Sequence, residues 1–164
     1  MLSIIVAMSD CGVIGNKDAL PWRIPSDLKR FRQYTLGKSV VMGRRTYHSL
    51  PGPLVGRHVI VVGKTGGINS ADVTFVRSPE EALTVQHRDT ELMIAGGSAI
   101  FAWFFEHMAI DRMYVTRVFA DIRGDAHFPA IAWDAWHREH RSDISQCAGD
   151  DHPTQFEVWR RSAS

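Results

Sequence analysis

Short β-branched and apolar runs alternate with amphipathic stretches along this chain. The apolar runs at residues 2–8, 39–42, 58–62, 73–76, 92–95 and 112–119 predict strands. Two further strands are expected within 133–140 and 154–161. The amphipathic stretches predict helices over 26–35, 45–49, 79–87 and 98–107. Strands and helices interleave until residue 107, and only strands follow. Alternation with crossover helices implies parallel pairing, and a strand-only end implies an antiparallel edge. The expected fold is a three-layer α/β domain. Its sheet is mixed, mostly parallel and eight-stranded, with about four flanking helices. A ligand is expected beyond the carboxyl ends of the parallel strands. The loops at those ends are residues 9–24, 43–45, 63–67 and 96–97.

Composition narrows the class of function. A length of 164 residues fits one domain. The 45% hydrophobic and 23% charged content is ordinary for a globular protein. A net charge of +1 offers no bulk basic field for nucleic acid. Cys11 and Cys147 are too far apart in sequence for a disulfide framework or a CxxC metal site. They read as free thiols of a reducing cytosol. The apolar run 2–8 is too short for a signal peptide or a membrane span, so a cytoplasmic protein is expected. There is no HExxH, GxSxG or Walker A motif, and no metal is expected.

One helix carries a carboxylate in an unusual position. Within Pro25-Ser26-Asp27-Leu28-Lys29-Arg30-Phe31, Pro25 suits a first helical turn. Asp27, Leu28 and Phe31 share a face by helical spacing, while Lys29, Arg30 and Gln33 are expected to point elsewhere. Asp27 either complements the helix N-terminus or lies at the bottom of an apolar pocket. There, desolvation would raise its pKa, and it could accept paired hydrogen bonds from an amidine-like ligand edge. A pterin offers that edge through its 2-amino group and N3. Trp22 is either a plain core aromatic or a pocket wall whose indole N–H holds a water.

A second set of residues suits a phosphorylated cofactor. Leu92-Met93-Ile94-Ala95-Gly96-Gly97-Ser98 reads as strand, diglycine and helix start. Glycine permits close backbone approach, and a helix N-terminus binds phosphate. Ile100-Phe101 stands where GxGxxG would need its third glycine, so this is not the conventional dinucleotide fingerprint. Gly43-Arg44-Arg45-Thr46 follows another strand, and Lys64 follows a third. If these strand ends are neighbours, Arg44, Arg45 and Lys64 form a cationic cluster suited to the 2′-phosphate of NADPH. Alternatively they are a solvated surface. Arg57 could clamp a carboxylate or sit on a surface turn.

In joint order and spacing these motifs resemble dihydrofolate reductase of the bacterial chromosomal type. The resemblance runs from residue 3 to about 160. Its carriers are Val13-Ile14-Gly15, Leu20-Pro21-Trp22 with Pro25 and Asp27-Leu28, Val41-Met42-Gly43-Arg44, Gly96-Gly97, Gly124-Asp125 with His127-Phe128-Pro129, and Phe156-Glu157-Val158. It implies NADPH-dependent reduction of 7,8-dihydrofolate to tetrahydrofolate, supplying one-carbon metabolism. Hydride would pass to pterin C6 and a proton to N5. Asp27, Trp22 and Leu20 would carry the chemistry. Ile5, Ala7, Asp27, Leu28, Phe31, Leu50, Leu54 and Thr116 would line the folate pocket, with Arg57 on the glutamate tail. Ala7, Ile14, Ala19 and Leu20 would surround the nicotinamide, and Gly15 and Asn16 would also bind the cofactor. Gly43, Arg44, Arg45, Thr46, Lys64, Ala95, Gly96, Gly97, Ser98, Ala99 and Ile100 would hold the rest of NADPH. The resemblance also implies a mobile loop over 9–24 with Asp125 as its partner, dihydrofolate and antifolate inhibitors as ligands, and a monomer without nucleic-acid or membrane partners. Three positions depart from the family's pattern. Ala95 thins a pocket wall, Phe101 lacks a hydroxyl often present there, and Ala99 replaces an arginine of some members. Residues 142–153 match poorly. Two other readings are a pyrimidine reductase of riboflavin synthesis and a non-catalytic nucleotide-binding module.

Overall fold

The computed structural model describes residues 1–87 and 91–163. Its eight-stranded sheet has the order β5-β4-β3-β6-β1-β7-β10-β9. The six parallel members are β1 (Leu2–Ser9), β3 (Ser39–Gly43), β4 (His58–Val62), β5 (Val73–Val76), β6 (Leu92–Ile94) and β7 (Arg112–Val118). Two antiparallel strands, β10 (Thr154–Arg161) and β9 (Trp136–Arg141), close the C-terminal edge. The expected α/β class, parallel majority and antiparallel edge are all present.

Strand alternation sorts the core into two faces. Ile4, Val6 and Met8 of β1, with Val41, Ile60 and Ile94, pack against α3 (Pro79–Val85) and α4 (Ser98–His107). Ile5, with Val40, Met42, Val59, Val61 and Met93, packs toward α1 (Pro25–Thr35) and α2 (Arg44–His48). Val40, Val41, Ile60, Met93 and Ile94 are fully buried. Burial on both faces is why these strands read as unbroken apolar runs. Phe104 of α4 is also fully buried, and its truncation to Ala would cost about 3–5 kcal/mol.

The local differences from expectation have physical causes. Residues 133–135 form a 3-10 turn, and the strand begins only at Trp136. The α3 helix stops at Val85 because Gln86 turns to extended backbone. A two-stranded sheet escaped the sequence pattern. It pairs β2 (Val13–Gly15) with β8 (Ala126–His127), both too short for periodicity to register. A Cβ on Gly124 would meet the Gly15 carbonyl oxygen, so the close approach of these segments requires glycine there.

β1 sits mid-sheet, with β6 and then β3 on one side and β7 on the other. The loops after β1, β3 and β6 therefore converge on one rim.

Candidate active site

A cleft of about 750 Å³ opens at this rim. It is walled by Ile5 and Ala7 of β1, by Ile14, Gly15, Asn16, Ala19 and Leu20 of the following loop, and by Asp27, Leu28 and Phe31 of α1. Gly43, Arg44, Arg45, Thr46 and Leu50 form one side, the 95–100 segment another, and Thr116 reaches in from β7. Trp22, Leu54, Arg57 and Lys64 are not among the lining residues.

Asp27 enters the cleft from the first turn of α1. Pro25 opens that turn, and no side chain of α1 itself caps it. The cap comes from far along the chain. Asp150 accepts the Ser26 backbone N–H at 3.1 Å and the Ser26 hydroxyl at 2.6 Å. Burial opposes the charge on Asp150, but these bonds, with the Cys147 N–H and the field of Arg30, hold its pKa below the usual carboxylate range. The adjacent Asp151 accepts the Arg23 N–H at 2.8 Å and returns its own N–H to the Arg23 carbonyl at 2.9 Å. The poorly matched 142–153 segment thus anchors the loop and the acid-bearing helix. Nothing in the local pattern signals a cap supplied from so distant a position.

Burial pushes the Asp27 pKa up, against a hydrogen bond from Thr116 and the charge of Arg30, which pull it down. The Thr116 hydroxyl donates to Asp27 Oδ1 at 2.7 Å. Arg30 corrects the sequence reading. Its guanidinium does not point elsewhere but lies 3.3 Å from Asp27 Oδ1 and 3.1 Å from Thr116 Oγ1. The i,i+3 spacing of opposite charges was the signal for it. No protein hydrogen bond reaches Oδ2 among the described residues, so that oxygen is open to a ligand.

At the diglycine, Gly96 adopts φ +112°, a region few residues other than glycine enter. The N-terminus of α4 has no side-chain cap, so its first N–H groups face the cleft unclaimed by side chains. A Cβ at Gly97 would meet Thr46 Oγ1 at 3.4 Å, and one at Gly43 would meet Ile100 at the same distance. These glycines leave a narrow trough between α2 and α4.

β3 and β4 pair in parallel with Gly43 beside Val62, so their following loops are neighbours. Arg44 donates to the Gly66 carbonyl at 2.7 Å and to the Thr65 hydroxyl. It is thereby tied to the loop bearing Lys64. Arg45 is highly exposed and lies 3.9 Å from Asp18. The strand-end adjacency needed for a cationic rim is thus present. Arg57 is buried rather than on a surface turn, and donates to Val55 O and Thr35 Oγ1. Burial and the nearby Arg32 lower its pKa.

The loop over the cleft is held at several points. Lys17 N–H donates to Asp125 Oδ2 at 3.2 Å, and both Lys17 and Asp18 have positive φ. Trp22 packs with Ile24, Val118 and Ala7, and its buried Nε1 has no acceptor among the described residues.

A family model described as dihydrofolate reductase matches residues 1–161. The chain belongs to the dihydrofolate reductase family. Its relatives include the type 3 dihydrofolate reductase of Salmonella typhimurium, 37% identical over 142 residues, covering 87% of this chain and 86% of the relative. The Neisseria gonorrhoeae dihydrofolate reductase is 38% identical over 143 residues, 87% of each chain. Among solved structures, dihydrofolate reductase from Enterococcus faecalis, complexed with NADP(H) and RAB-propyl, superposes with a TM-score of 0.87. It is 29% identical, and the match covers 99% of this chain and 97% of that one.

Sequence reasoning had missed several lining residues of the family cleft, namely Arg30, Met42, Asp18, Ser49, Val62 and Phe156. Arg30 had been expected to point away from the Asp27 face, and Asp18 had not been singled out within the 9–24 loop. Met42, Val62 and Phe156 are core residues whose ends reach the cleft, and Ser49 is an exposed residue at the end of α2.

Proposed function

We propose that this chain reduces 7,8-dihydrofolate to 5,6,7,8-tetrahydrofolate with NADPH. The observation that carries the reading is Asp27, a buried acid beside Ile5, Leu28 and Phe31 in a cleft that also contains the diglycine trough. Asp27 accepts the 2-amino and N3 edge of the pterin through Oδ2 and the remaining capacity of Oδ1. Ile5, Leu28, Phe31 and Leu50 sandwich the rings. Their apolar contact fixes the plane in which the acid and the pterin edge meet. Leu54 and Arg57 extend the site toward the glutamate tail.

The trough fits a dinucleotide. Unclaimed N–H groups at α4 suit a pyrophosphate, and Arg44, Arg45 and Lys64 suit a 2′-phosphate. Thr46, Ser98, Ala99 and Ile100 line the path between them, and Ala7, Ile14, Asn16, Ala19 and Leu20 form the nicotinamide end. When bound, NADPH supplies the hydride, transferred from nicotinamide C4 to pterin C6.

The protein's part is position, field and exclusion of water. Asp27 holds the pterin edge and favours proton uptake by the ring. It sits at the opposite edge from N5, so water delivers that proton. Trp22 Nε1–H, which has no acceptor among the described residues, orients such a water. Residues 9–24 close over the ring and shut out bulk solvent. Compact diaminopyrimidines and other antifolates compete for the same acid.

The test is spectrophotometric NADPH oxidation with dihydrofolate, with and without methotrexate. Oxidation that requires dihydrofolate and stops with the inhibitor is expected. NADPH binding without pterin turnover would instead favour a nucleotide-binding module.

A further inference from the structure

The cleft contains a cation that the reaction, as described, leaves without a task. Arg30 follows Asp27 by one helical turn, and its side chain is only 18% exposed. Its Nη1 reaches both Asp27 Oδ1 and Thr116 Oγ1. Its Cζ lies 4.9 Å from the centroid of the Phe156 ring, which covers one side of the guanidinium. Two groups, from α1 and β7, thus close on one oxygen of the acid, and Phe156 of β10 backs the guanidinium.

We propose that Arg30 is a positioning residue for Asp27, fixing the carboxylate against Thr116 and setting the pH at which the acid–pterin pair takes up its proton. The inference rests on the dihydrofolate reading above and deepens it. A triangle of Asp27, Thr116 and Arg30 leaves Oδ2 turned to the ligand and removes the carboxylate's freedom to rotate. The guanidinium charge also opposes uptake of a further positive charge by the unit that Asp27 and the pterin form together.

The other groups facing the acid are few. Thr116 on β7 and Phe156 on β10 carry no charge. β1 presents only Ile5, Val6 and Ala7 to the cleft. Asp150, which caps α1, acts on Asp27 through space in the direction opposite to Arg30. It is itself held ionised by Ser26 and Cys147, so it provides a fixed background. Arg30 is therefore the residue whose replacement changes the charge facing Asp27 while leaving the cofactor trough intact.

The experiment measures single-turnover NADPH oxidation with dihydrofolate across the pH range for wild type, Arg30→Met, Arg30→Gln and Arg30→Lys. NADPH affinity is measured alongside. For Met and Gln, the apparent pKa of hydride transfer should rise by about one unit, which makes these variants about tenfold faster relative to wild type on the alkaline limb. Lys keeps the charge and should restore most of the wild-type profile. NADPH affinity should stay constant throughout. Gln retains a donor without the charge and covers the case in which Met does not fold. An active wild type whose profile superposes on those of Met and Gln overturns the role of Arg30 alone. A wild type that turns over no dihydrofolate overturns the underlying reading instead.

Discussion

The two ends of the parallel strands treat a buried carboxylate in opposite ways. At the amino ends, Glu91 accepts Lys38 Nζ at 2.8 Å, the Tyr114 hydroxyl at 3.1 Å and the Ser3 hydroxyl. Burial pushes its pKa up, but Lys38, Ser3 and Tyr114 outweigh that and hold it below the usual carboxylate range. At the carboxyl ends, Asp27 keeps an oxygen without a donor among the described residues, and its pKa is raised. The side chains are 7% and 18% exposed, so both are largely withdrawn from water, and burial raises the pKa of each. They differ in the number of donors spent on each acid. A fully bonded acid locks strand ends together. An acid left partly unbonded retains a site for another molecule's N–H groups, at some cost to the fold.

The sharpest way to break this comparison is Asp27→Asn. Dihydrofolate turnover at neutral pH should fall about 100-fold or more, since the neutral amide neither draws a proton to the ring nor matches two N–H donors. Near-wild-type turnover would remove Asp27 from the chemistry. The same variant should gain thermal stability. The folded pKa of Asp27 lies above its unfolded value, so its charge is a penalty that grows as pH rises above about 4. The gain should be present at neutral pH and vanish below about pH 4.

Glu91→Gln should do the reverse, losing about 1–3 kcal/mol of stability at neutral pH with activity retained. The folded pKa of Glu91 lies below its unfolded value. Its contribution is therefore complete above about pH 4.3 and is lost as pH falls through the folded value. Denaturant melts of both variants at neutral and acidic pH check the opposite signs. Two variants shifting stability in the same direction would end the contrast.

Smaller effects test the carboxyl-end rim. Arg45→Gln with Lys64→Gln should weaken NADPH about tenfold and leave NADH nearly unchanged, since only NADPH carries the 2′-phosphate. Equal loss for both cofactors, by equilibrium titration, would count against the cationic rim. Smallest is Ala95→Ile, which should tighten a diaminopyrimidine inhibitor a few-fold by filling the thinned wall. An unchanged or weaker inhibition constant would show that no usable gap exists.

Much of this architecture was legible in the sequence because both its signals are local. Unbroken apolar runs marked the doubly covered strands, and Pro25 with Asp27 and Leu28 marked the acid-bearing helix. The diglycine after Ile94-Ala95 marked the trough. What stayed hidden depends on partners distant along the chain. The Asp150 cap on Ser26, the β2–β8 pairing and the Glu91 cluster join segments whose own patterns carry no trace of one another. Arg30 was misread for a different reason. A long side chain reaches back along the helix to a neighbour that the apolar-face rule assigned to another surface.

The most direct measurement is a pH titration of the carboxyl carbons of Asp27 and Glu91 by NMR in the ligand-free protein, with the two Asp27→Asn and Glu91→Gln variants assigning the signals. The account predicts Asp27 titrating above the ordinary aspartate value of about 4 and Glu91 below the ordinary glutamate value of about 4.3. An Asp27 that titrates at or below the ordinary value would contradict it.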